Sequence, residues 1–109
     1  MPIANCVITD ECEMPDKPFT DIWSQHAGVS SEHMTVNFIV STMQAGNPYK
    51  VMTNLTLPSL WSEDSIRSIQ IGLAKALAEY FKISIDDVHV ITQIVDSGMV
   101  VENGDVLTW

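Results

Sequence analysis

Basic residues are scarce. Five Lys and Arg stand against fourteen Asp and Glu, a formal charge of −9. Gripping a phosphate backbone or an anionic lipid surface takes clustered cations, so neither nucleic acid nor a membrane is an expected partner. Cysteine is nearly absent: Cys6 and Cys12 cannot build a disulfide framework. No apolar run nears the ~20 residues that span a bilayer. The start Met-Pro-Ile-Ala-Asn has no basic segment of the kind that opens an export signal. The expectation is a cytoplasmic protein with free thiols, Cys6 being a small core residue in an apolar run. There is no glycine-rich phosphate loop and no nucleophile elbow. His26, His33 and His89 lack zinc-like spacing, and the four carboxylates of residues 10–18 match no calcium loop. No metal and no cofactor are expected.

What is present is a chain of 109 residues, 46% hydrophobic, enough for one domain spanning 1–109. A domain of this size buries roughly two-thirds of the surface its unfolded chain exposes.

The elements follow from period and punctuation. Residues 2–9 are short and β-rich, with Pro2 at a strand's first position, where proline is tolerated. Phe19, Ile22, Trp23 and His26 have helical spacing; Pro18 suits the start of that helix and Gly28 its end. Residues 33–43 alternate as a strand, Ala45-Gly46-Asn47-Pro48 is a turn, and 49–57 form a strand that Pro58 stops. Over 62–82, Ile66, Ile69, Leu73, Leu77 and Phe81 recur every three or four residues, Ser62 can cap the start, and Lys75 and Glu79 face outward. Gly72 inside this helix costs about 1 kcal/mol relative to alanine; close approach of the helix to a sheet would explain it. Residues 87–95 are a strand. Asn103-Gly104 is the preferred pair for a type I′ turn, making 99–109 a hairpin.

The order is two β-α-β units, about 2–43 and 49–95, and then the hairpin. The predicted fold is α+β: a four-stranded mixed sheet with two helices on one face. A strand following a helix implies parallel pairing through a right-handed crossover. The halves also echo each other, Ser30-Ser31-Glu32-His33-Met34-Thr35-Val36 against Ser84-Ile85-Asp86-Asp87-Val88-His89-Val90. Met99, Val100, Val101, Val106, Leu107 and Trp109 give the hairpin more apolar surface than a lone hairpin can show to water. Either sheet faces meet in an oligomer whose hairpins reach a neighbour, or the hairpin folds back on its own sheet. An unrelated two-layer protein with ferredoxin-like strand pairing is the competing architecture.

The Met-Pro-Ile start, the two β-α-β units and the terminal hairpin resemble the tautomerase superfamily. The length resembles its fused two-unit branch, which includes macrophage migration inhibitory factor, rather than the half-length 4-oxalocrotonate tautomerase branch. Ile66–Asn103 carries the best match, in Leu77-Ala78-Glu79, Lys82-Ile83-Ser84 and Asp86-Asp87-Val88-His89-Val90, and Gly28–Val36 is similar to the run into that branch's second strand. The resemblance implies a homotrimer with helices outside and a site at each subunit boundary, centred on the proline after the initiator methionine. It implies a small carbonyl compound as substrate.

With Met1 removed, Pro2 would present a secondary amine whose pKa apolar surroundings lower toward operating pH. Such a base can take a proton from the carbon beside a carbonyl and return it elsewhere, which is keto–enol tautomerisation. By position, the resemblance places Thr56, Leu57 and Pro58 at the strand end beside the proline, Val100 in the pocket wall, and His89 where the branch has a tyrosine from the neighbouring subunit. Where the branch has a substrate-holding lysine, this chain has Val29, which leaves Lys17 and Lys50, both in or near loops, with Lys50 the candidate cation that could swing in from a strand start. Asn37, Asn54, His26 and His33 are weaker candidates. Two functions remain open: a tautomerase using Pro2, and a trimeric binding or structural module of the same fold.

Overall fold

The computed structural model describes residues 1–109. Its elements in chain order are β1 (Ile3–Thr9), α1 (Phe19–Ala27), β2 (Thr35–Ser41), β3 (Val51–Pro58), α2 (Glu63–Phe81), a 3-10 turn over Ile85–Asp87, β4 (Val88–Val95), β5 (Val100–Glu102) and β6 (Asp105–Leu107). The sheet runs β2-β1-β3-β4. β1 pairs parallel with β2, β3 pairs parallel with β4, and the two central strands are antiparallel. Each β-α-β unit therefore keeps its two strands as neighbours. In a ferredoxin-like sheet the units are split, so that alternative is corrected.

Local chemistry sets the element ends. Gly28 takes the left-handed conformation and donates its N–H to the Ser24 carbonyl, closing α1. Ser62 caps α2 by accepting from the Ser65 N–H at 3.2 Å. Lys82 closes α2 in the left-handed region, its N–H reaching the Ala78 and Glu79 carbonyls. β2 begins two residues later than the alternation suggests, because His33 and Met34 belong to a turn in which the Met34 N–H bonds the Ser31 carbonyl. β3 runs through Pro58 instead of stopping before it; the ring has no N–H to lose at a strand's last position. Asn103 and Gly104 both have positive φ, as a type I′ turn requires.

The core lies between the helices and one face of the sheet. Ala4, Cys6 and Ile8 of β1 and Val51, Leu55 and Leu57 of β3 meet Trp23 of α1 and Ile69, Leu73 and Leu77 of α2, all buried. Each large apolar side chain so buried contributes roughly 1.5–3 kcal/mol. The Trp23 indole N–H donates to the Ile69 carbonyl at 3.1 Å, tying the helices together inside the core. Tyr80 donates to the carbonyls of Pro15 and Lys17, which pins the acidic loop across α2.

Gly72 is explained differently from the expectation. A Cβ there would stand 2.7 Å from the Ala27 backbone nitrogen and 2.8 Å from its Cα. The close approach is of helix on helix.

The opposite sheet face has no cover within the chain. Register places Asn37, Asn5, Asn54 and Ile91 in one row across the four strands, and Ile39, Val7, Met52 and His89 in the next. Asn37 donates to the Asn5 side chain at 2.8 Å. No Asp, Glu, Lys or Arg stands on this face, although the chain carries −9. β5 and β6 pair only with each other and add no strand to the sheet. No helix is long and apolar enough to cross a membrane.

Candidate active site

The antiparallel register of β1 and β3 sets Ile3 opposite Thr56, which brings the strand end at Pro58 beside the head of β1. The parallel register of β1 and β2 sets Ile3 beside Thr35, so the turn before β2 lies next to Met1 and Pro2. The Pro2 carbonyl accepts the Thr35 N–H at 2.9 Å, the first rung of that pairing. Pro2 itself is buried. It has no N–H to leave unpaired there, which is why proline fits the first rung.

The hairpin closes the third side. The Trp109 N–H donates to the Ser97 hydroxyl at 2.8 Å, and its indole N–H donates to the Ser59 hydroxyl at 2.9 Å. The chain end is thereby fastened beside the end of β3. Together these segments enclose a cavity of about 580 Å³. Its wall is mostly apolar, with Met1, Ile3, Pro58, Leu60, Val100 and Trp109 among the lining residues, and Glu32, His33 and Glu102 supply its titratable groups.

The terminal amine carried by Met1 is partly withdrawn from water, which lowers its pKa; the Glu102 carboxylate pulls weakly the other way. Burial thus moves this amine toward its neutral form, the form able to accept a proton.

The residues singled out from the sequence fall in three places. Pro58 and Val100 line the cavity next to Met1. Thr56 lies on the uncovered face beside Ile3, and Leu57 points the other way into the core with no exposed surface. Lys50 and His89 lie at the far end of the sheet, since Lys50 bonds Thr9 through its carbonyl and His89 pairs with Met52. Six residues of strand, about 20 Å, separate that end from Ile3. Lys50 there stands 4.0 Å from Asp87, and the His89 ring packs on Tyr49 at 4.9 Å between centroids. Both flank or adjoin a second cavity of about 400 Å³, lined by Tyr49, Lys50 and Asp87 among others. Asn37 and Asn54 share the open face, and His26 pairs with Glu79 on the helix side.

Sequence reasoning missed Glu32, Glu102 and Trp109 and gave little weight to His33. The signal was available only through register: if β1 and β2 pair in parallel from Ile3 and Thr35, whatever precedes Thr35 must adjoin whatever precedes Ile3.

No family model and no curated protein matches the sequence. Solved structures match closely in shape. A wild-type fused 4-OT, Q0, solved as a symmetric trimer, superposes with a TM-score of 0.75 at 14% identity, over 95% of this chain and 94% of that one. N1, a member of the cis-3-chloroacrylic acid dehalogenase family, gives 0.71 at 12% identity over 96% and 82%. Macrophage migration inhibitory factor from Oncomelania hupensis gives 0.71 at 14% identity over 98% and 83%. The shared architecture is the tautomerase β-α-β fold.

Proposed function

We propose that this chain, which has the tautomerase fold, is a tautomerase or isomerase in which the Pro2 amine, freed by loss of Met1, acts as general base on a small carbonyl compound. The observation that carries the reading is the place of the chain's start: Met1 and Ile3 line an apolar cavity with Pro58 and Val100, and Pro2, buried and not itself in the lining, is the residue that joins them. Loss of Met1 would not release Pro2, because its anchor is its own carbonyl on the Thr35 N–H. The freed nitrogen would take a proton from the carbon beside the carbonyl while the electron pair passes to the carbonyl oxygen. The resulting ammonium would return the proton to carbon or oxygen, so that no co-reactant is consumed.

The active species is proposed as a homotrimer. Its support is the uncovered sheet face without formal charge, the exposed Met99, Val101 and Val106 of the hairpin, and a fold neighbour solved as a trimer. In such an assembly His89 and Lys50 would serve a neighbour's Pro2, since within one chain they stand a sheet's length from it, whereas Thr56 lies beside its own chain's start.

A second reading, a trimeric binding or structural module without chemistry, draws on one observation: no Lys or Arg lines the cavity. The two readings separate on natively expressed protein. Tautomerase action expects a mass lacking Met1, turnover of an enolisable aldehyde or ketone, and loss of that turnover in Pro2→Ala. Quantitative retention of Met1 would exclude Pro2 as the base and leave the module.

A further inference from the structure

We infer that Met1 can be cut from this chain only before β1 is paired, so that a chain folded with Met1 in place keeps it and persists as a second, stable form. The inference rests on the reading that loss of Met1 frees the Pro2 amine, and deepens it by fixing when that loss must happen.

The step is a hydrolysis. An aminopeptidase adds water across the Met1–Pro2 peptide bond, hydroxyl to the Met1 carbonyl carbon and hydrogen to the Pro2 nitrogen, and methionine leaves. To do so it must draw Met1 and the next residues into its own cleft as a loose, extended segment. In the fold that segment is already engaged. β1 is an inner strand, with β2 on one side and β3 on the other. Ile3 is in register with Thr35 on the first and with Thr56 on the second. The Pro2 carbonyl, one residue beyond the bond to be cut, accepts the Thr35 N–H at 2.9 Å. Pro2 and Ala4 are buried, Ala4 with no exposed surface. Peeling these residues away breaks pairing on both sides of the strand and opens the core at Ala4.

Met1 itself is half-buried in a cavity wall that includes Trp109, and Trp109 is fastened to Ser97 and Ser59. Cutting a bond so placed goes through an opened state, and its rate tracks how often that state is visited. During synthesis the bond is open to attack. β1 lacks its second partner until β3, which ends at Pro58, has been made, several seconds later at about 5–20 residues per second. A chain processed in that interval carries the secondary amine. One that folds first carries an amide at Pro2 and a cavity lined by Met1.

The test starts from Met1-bearing protein, made with methionine aminopeptidase inhibited and verified by mass. Purified methionine aminopeptidase is added, and loss of methionine is followed by mass spectrometry beside a peptide of residues 1–8. The folded protein is expected to lose Met1 more slowly than the peptide by about 100-fold or more. A variant with Gly-Ser-Gly inserted between Met1 and Pro2 should be cut at close to the peptide's rate, since its first bond stands clear of the sheet. Leu73→Ala removes a fully buried core side chain from α2 and should speed removal by about tenfold or more, because opening becomes more frequent. Sub-denaturing urea, at concentrations where the aminopeptidase still cuts the peptide, should do the same to the parent, which keeps the test decisive if Leu73→Ala does not fold. Removal from the folded protein within about tenfold of the peptide's rate, an insertion variant as resistant as the parent, or a rate indifferent to both core truncation and urea overturns the inference. Rapid removal from folded protein that then turns over a carbonyl compound would sink the inference and spare the tautomerase reading. A resistant Met1-bearing fold beside a Met1-free protein without turnover would do the reverse.

Discussion

Gly72 and Ala27 touch backbone to backbone where α2 crosses α1. A Cβ at position 72 would lie 2.7 Å from the Ala27 nitrogen and 3.0 Å from its Cβ. The contact fixes how closely the two helices lie together on the sheet, and hence where the strand ends meet.

Gly72→Ala gains about 1 kcal/mol of helix propensity. It also forces backbone apart, and overpacking of this kind costs about 1–3 kcal/mol. Because the obstacle is main chain, the cost should prevail. A lowered urea midpoint with an unchanged slope is the expected result, and a midpoint at or above that of the parent would show that the helices can separate cheaply.

Lys82 presents the opposite case. It holds φ 53° at the end of α2, a conformation that disfavours a side chain. Lys82→Gly should raise stability by about 0.5–1 kcal/mol, which thermal unfolding would register as a rise of several degrees. No rise, or a fall, would mean that the Lys82 side chain contributes more than the backbone strain removes.

Cys6 is buried against the helices, and burial pushes its thiol up to about 11, against a smaller downward pull from the Thr53 hydroxyl opposite. With the folded value above the unfolded one of 9.0, this group's stabilisation is fully present below pH 9 and is lost as pH rises toward 11. The loss amounts to about 2–3 kcal/mol. Cys6→Ala would remove that slope in the alkaline range while lowering stability at pH 7; an unaltered slope would assign it to other groups. At neutral pH, Cys6 should resist alkylation until the chain unfolds, whereas half-buried Cys12 should react first.

Burial lowers the pKa of the Met1 amine and the Glu102 carboxylate raises it. Glu102→Gln should therefore lower it further in protein that retains Met1. A pH titration of amine labelling at the chain's start would read the shift. Movement upward would place the carboxylate too far away to act.

Val101 and Val106 are more than half exposed on a hairpin supported by no other strand. If they seat on neighbouring copies, Val101→Asp and Val106→Asp should lower the native mass from about 36 kDa, three times 12.1 kDa, toward that of a single chain. Circular dichroism should stay unchanged. An intact trimer in both variants would remove the hairpin from the interface.

The sequence by itself determined the elements and much of their packing. Apolar spacing from Ile66 to Phe81, the Ser62 cap and the Asn103-Gly104 turn are local signals, readable because each depends on residues within a few positions of one another. The inward residues Phe19, Trp23, Leu73 and Leu77 were readable for the same reason. Pro58 and Val100 could be set beside the chain's start only through the resemblance to a family. Glu32, Glu102 and Trp109, which set the charge and aromatic character of the cavity, were decided by tertiary structure alone. They converge on Met1 from positions thirty to a hundred residues away through two strand registers and a fastened hairpin. Register is a property of paired strands, absent from either strand alone. So was the partner of Gly72: a missing side chain announces a close neighbour, and only the folded chain says that the neighbour is Ala27.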